Sequence, residues 1–130
     1  MVTDNVTEQQ LYTDCIQSVQ QYIRQHIYEP LNREVLADVS GFSIPHFHRI
    51  FIAQTGESAI SYLRRMRLIA AGRKLRMGAI DIMEVALAAG YETHAAFGKA
   101  FKKQFGVSPS AFRLLNCWVA TALLRRASQP

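Results

Sequence analysis

Long apolar runs are missing from this chain. The longest, Cys117 to Leu124 with Thr121 as its single polar residue, is far short of the roughly 20 residues that a bilayer-spanning helix needs, so no membrane partner is expected. Cysteine is scarce as well. Cys15 and Cys117 are far apart and lack metal-ligand spacing, which excludes a disulfide scaffold and a thiolate metal site and points to reduced thiols in the cytoplasm. The polar, slightly acidic N-terminus is unlike a secretory signal. No alternating apolar–polar run bounded by turn residues occurs, so strands are not expected and the fold class is all-α. The four histidines and ten acids form no nucleophile–base pair, glycine-rich phosphate loop or metal set. Cys15 lies on an apolar helical stripe, where a thiol is usually inert. An enzyme is therefore not expected, and no cofactor or metal is implied.

What is present is a globular composition with a basic balance. At 130 residues and 49% hydrophobic content, the chain forms one compact domain or two very small ones. A net charge of +5 and a pI near 9.6 permit an anionic partner without identifying one.

The stretch Ser58 to Met77 organises the rest. It has no proline and no acid, and carries Arg64, Arg65, Arg67, Arg73, Lys74 and Arg76. Ser58 suits an N-cap, and Gly78 suits the position after the last turn. Its apolar residues fall on two stripes. Tyr62, Leu63 and Met66 form one; Leu68, Ala71, Gly72 and Leu75 form the other, nearly opposite at about 100° per residue. A helix on one core shows one stripe, so this helix is expected to serve a small core on each flank.

The flanks are two versions of one pattern. Gly41 and Gly90 are 49 residues apart, whereas Phe47, Phe51, Gly56 and Ser58 recur 50 residues later as Phe97, Phe101, Gly106 and Ser108. Residues 8–56 are read as a first helix-turn-helix subdomain, 58–77 as the connecting helix, and 80–126 as a second subdomain with a C-terminal helix. About seven helices are expected.

Capping signals set their bounds. A capping box at Thr7–Gln10 opens a helix running to about Tyr28. Asn32 caps a short helix with Val35, Leu36 and Val39 inward, ended by Gly41. Ser43 opens the next, with Pro45 tolerable in its first turn and Phe47, Ile50 and Phe51 inward. Asp81 opens a short helix that breaks at Gly90. Thr93 opens another with Phe97, Ala100, Phe101 and Phe105 inward, and Ser108-Pro109 opens the last. From Ala111, the residues Phe112, Leu115, Trp118, Val119, Ala122 and Leu123 keep helical spacing to Leu124. That tail is either a longer last helix on the second subdomain, an exposed apolar stripe for a protein partner, or the edge of a larger protein.

Each subdomain reads as short helix, glycine turn, second helix. The outward face of the first second-helix carries His46, His48, Arg49, Ile52 and Ala53. The other carries His94, Ala95, Gly98, Lys99, Lys102 and Lys103. Neither holds an acid, whereas a merely solvated face mixes both signs. A connecting helix of about 20 residues is about 30 Å long, close to the roughly 34 Å between successive major grooves on one side of a duplex. Unlike outward faces imply an asymmetric site.

The strings G41FSIPHFHRIFIAQTGES58, YLRRMRLIAAGRKL and D81IMEVALAAGYETHAAFGKAFKKQFGVSPSAFR113 resemble the AraC/XylS family of transcription regulators over about Tyr12 to Arg113. The resemblance implies a DNA-binding domain of two helix-turn-helix units bridged by a long helix. It places base contacts at Pro45, His48 and Arg49 in the first unit and at Thr93, His94, Ala95 and Lys99 in the second. Where this chain has Ile52 and Ala53, family members commonly carry lysine. Phosphate contacts are assigned to Ser43, His46, Arg64, Arg67, Lys102 and Lys103. His46 and His48 diverge by about 200° on a helix and do not suit a metal pair. The partner is double-stranded DNA, bound as a monomer, with RNA polymerase a candidate second partner. The chain resembles the small single-domain activators, controlled by abundance or by a partner. The alternatives are a helical protein-interaction module with solvated basic faces, or the DNA-binding part of a larger effector-regulated protein.

Overall fold

The computed structural model describes residues 7–78 and 81–129. Among the described residues there are eight helices and no strand, so the all-α reading holds. The expected start of the second subdomain at residue 80 lies outside the described residues. The chain divides into two compact units that meet between Leu63 and Arg64, inside a helix.

In the first unit, α1 spans Glu8–Gln25, α2 Arg33–Ser40 and α3 Ile44–Thr55. Side-chain caps set each start: Thr7 accepts from the Gln10 amide, Asn32 from Val35 and Ser43 from His46, satisfying amides that have no helical partner. Gly41 joins α2 to α3 at φ 80°, a left-handed conformation that costs other residues more. Ile16, Val19 and Ile23 of α1 close over Leu36, Ala37, Phe47, Ile50 and Phe51, all buried. The Phe51 ring meets Tyr62 edge-on at 6.0 Å, and the Tyr62 hydroxyl accepts from Arg24 at 2.6 Å. Two expectations shift here. α1 ends at Gln25 with His26 as its cap, before Tyr28. Val39 is 40% exposed, and Ala37 fills the inward position instead, because the short helix turns its Leu36–Ala37 edge to the core.

The helix α4 spans Ala59–Arg76. Its Tyr62 and Leu63 are buried in the first unit, and Leu68, Ile69, Ala71 and Leu75 are buried in the core of the second. The two-stripe reading holds with one reassignment: Met66 packs against the second core. Ile69, absent from either stripe, is buried too.

The second unit continues with α5 (Ile82–Ala88), α6 (His94–Phe105), α7 (Pro109–Leu114) and α8 (Cys117–Ala127). Phe97, Phe101, Phe105 and Phe112 form its aromatic centre, with Phe101 and Phe112 edge-on at 5.3 Å. Gly72 lets α8 approach: a Cβ there would lie 3.0 Å from Leu124 Cδ2 and 3.4 Å from Phe112 Cε2. The tail is not one continuous helix. Leu115 is extended, and Asn116 caps a new helix by accepting from the Val119 amide. The break turns Ala120 and Ala127 inward, while Trp118 stands 86% exposed and Leu114 84% exposed. Helical spacing across 111–124 is thus coincidental, since two helices with different phases share it.

Candidate nucleic-acid interface

The second helix of each unit is held from beneath and left open above. Phe47 and Phe51 anchor α3, and Phe97, Phe101 and Phe105 anchor α6. Each anchored row fixes which residues face outward, since side chains three and four apart share a face.

On α3, Pro45, His48 and Arg49 are exposed, and so are Ile52 and Ala53. Ser43 is exposed too, but its hydroxyl is occupied in capping His46. His46 differs from the others. It is half-buried, with its ring 4.8 Å from Phe42 and 6.0 Å from Tyr12. Pro45 and His48 border a groove of about 660 Å³ that extends to Ser58, Ala59 and Ile60 at the start of α4. Thr13 braces the other side of α3 by donating to Gln54 Oε1 at 2.9 Å.

On α6, Thr93 is the N-cap, its hydroxyl accepting from the Ala96 amide at 3.0 Å. His94, Ala95, Lys99, Lys102 and Lys103 are exposed. No acid follows Glu92 in the whole sequence, so the positive potential of this face is unopposed by its own element or by α7 and α8.

Arg64 and Arg67 come from the second-unit end of α4 and separate in character. Arg64 is exposed; Arg67 is half-buried. Its guanidinium lies 3.4 Å from where a Cβ on Gly90 would stand. Burial draws the Arg67 pKa below its ordinary value, with the Tyr91 hydroxyl opposing that shift. Burial raises the Tyr91 pKa, and Arg64 and Arg67 both pull it back. The three side chains therefore gather at the entry to α6.

Two structural arginines were not singled out by spacing. Arg76 donates to the carbonyls of Phe112, Arg113 and Leu115 at the end of α7. Arg65 donates to Ala127 O at 2.7 Å, at the end of α8. Cations suit helix C-termini, but the partners lie 36 to 62 residues away in sequence, where no local pattern reaches. Among the described residues, no group of three or more histidine, cysteine or acidic side chains is placed to hold a metal ion.

The helix-turn-helix domain family profile matches residues 36–114, from inside α2 to the end of α7. The regulatory protein SoxS of Salmonella typhimurium is 34% identical over 98 residues, covering 75% of this chain and 92% of that protein. The chain belongs to the AraC/XylS family of DNA-binding transcription regulators. The HTH-type transcriptional regulator YbfP of Bacillus subtilis is 36% identical over 102 residues, which cover 78% of this chain. The chain spans only 35% of the length of YbfP. Among solved structures, the DNA-binding domain of the global transcriptional factor AdpA, in complex with a target DNA, is similar with a TM-score of 0.69. It is 28% identical, covering 88% of this chain and 97% of that one. Within this AraC/XylS frame, α2–α3 and α5–α6 are the two helix-turn-helix units, and α8 lies beyond the matched residues.

Proposed function

We propose that this regulator binds double-stranded DNA as a monomer, with α3 and α6 in adjacent major-groove segments of an asymmetric site. One observation carries the reading: both helices expose an outward row that, apart from Ile52, is cationic, hydrogen-bonding or small, and that holds no acid. Pro45, His48 and Arg49 would read bases in one segment, and Thr93, His94, Ala95 and Lys99 in the other. Ser43, His46, Arg64, Arg67, Lys102 and Lys103 would hold phosphates, which position the protein and set its salt dependence. The half-buried state of His46 and Arg67 suits them to bracing α3 and the α5–α6 turn while reaching one phosphate each. The intended setting is the cytoplasm, with RNA polymerase as second partner. Trp118 and Leu114 are exposed on and before α8, and either would be open to such a protein contact.

Fluorescence anisotropy with a promoter duplex and a random duplex at physiological salt tests the reading. A specific protein binds the promoter at least a thousandfold more tightly. Equal affinity for both would reject sequence readout, and no binding beside a stable complex with another protein would favour an interaction module.

A further inference from the structure

Gly98 is the one glycine among the described residues that the fold does not explain. Gly41, Gly56, Gly78, Gly90 and Gly106 sit at positive φ, and Gly72 lies against Leu124. Gly98 has neither reason. It sits inside α6 at an ordinary helical φ, and a Cβ added there would meet nothing within 4 Å. A helix-interior glycine is less stable than alanine in the same place, so the protein carries a cost that its own packing does not require.

The repeat says which position this is. α3 and α6 are both 12 residues long, opened by Ser43 and Thr93 and closed by Gly56 and Gly106. With Phe47 matching Phe97, Gly98 takes the place of His48, and Lys99 that of Arg49. Its neighbours one turn away, Ala95 and Lys102, are exposed, and no acid lies on the face.

We infer that Gly98 is a specificity-determining residue of the second helix-turn-helix unit, where the missing side chain lets the α6 backbone sit against the wall of the major groove. This rests on the DNA-binding reading above and deepens it. The first unit would read through side chains projecting at His48 and Arg49. The second would read by proximity, its depth in the groove bringing His94, Ala95 and Lys99 within reach of base edges. Glycine at a position of close backbone approach has a direct steric rationale.

The test is Gly98→Ala, assayed for thermal unfolding and for binding to two duplexes, the best ligand selected from a random pool and a random-sequence control. The added methyl should raise Tm by several degrees, through helix propensity in open space. Affinity for the selected duplex should fall at least fivefold, while affinity for random DNA stays within twofold. A smaller loss on the selected duplex, or an equal loss on both, would overturn the inference. A lowered Tm would overturn it too, by showing that the fold itself needs the glycine. Failure of the wild-type chain to distinguish the two duplexes would instead overturn the underlying DNA-reading assignment.

Discussion

Arg49 and Lys102 are both exposed cations on outward helix faces, yet they are expected to do different work. Arginine bidentate to guanine is the commonest specific pairing. Arg49→Ala should therefore cost about 1–3 kcal/mol on the best duplex and relax preference at one base position, read by selection from a random pool. Lys102→Ala should weaken binding to every sequence and lower the slope of log affinity against log salt by about 1, read by titration at several salt concentrations. Cys15 and Tyr91 offer a residue-scale test of the fold. Burial raises the Cys15 thiol and the Tyr91 phenol above their ordinary pKa values, with Arg64 and Arg67 partly opposing the shift at Tyr91. The unfolded chain then loses these protons before the folded chain does. The stability they contribute is complete at neutral pH and declines as pH rises from the range where a free thiol and phenol titrate through the raised range of the folded groups. Thermal unfolding between pH 7 and 10.5 should show the decline, and Cys15→Ala should delay its onset. The caps and the phenylalanine rows were legible in the sequence because each depends on residues within a few positions. The tasks of Arg65 and Arg76 were not, because each depends on what lies across a tertiary contact.

At the scale of elements, α4 shows how a helix can belong to two cores. Its opposed stripes were readable because burial on both sides suppresses a single apolar face. Phase alone puts Met66 in the middle of the first stripe, beside Tyr62 and Leu63, but it packs against the second core because it lies past Leu63, in the part of α4 that belongs to the second unit. Gly72→Ala should destabilise the protein by about 1 kcal/mol despite better helix propensity. Its Cβ would press on Leu124 at 3.0 Å and on the fully buried Phe112 at 3.4 Å, and overpacking a filled site outweighs the propensity gain. The contrast with Gly98, where the same change should stabilise, makes the pair a strict test by urea unfolding. Arg76→Met keeps much of the aliphatic stem but removes the donor to three carbonyls at the end of α7. Loss of about 1–3 kcal/mol is expected from the unpaired acceptors, measured by the same unfolding curve. The tail misled by its regular spacing. Asn116 is an N-cap signal in the middle of that spacing, and a cap there outranks periodicity.

For the whole molecule, two units built on one plan carry different outward faces, so the DNA they select should contain two unlike blocks. The core residues repeat and the exposed ones do not, as expected where packing constrains one side and recognition the other. That division was visible in the sequence; which exposed residues touch bases was not, since exposure is common to reading and to solvation. Selection of bound duplexes from a random pool by the intact chain addresses this most directly. The account expects enrichment of two dissimilar blocks, centred about one helical turn or 10 base pairs apart, with one protein per duplex. Enrichment of a palindrome, of a single block, or of no sequence at all would contradict it.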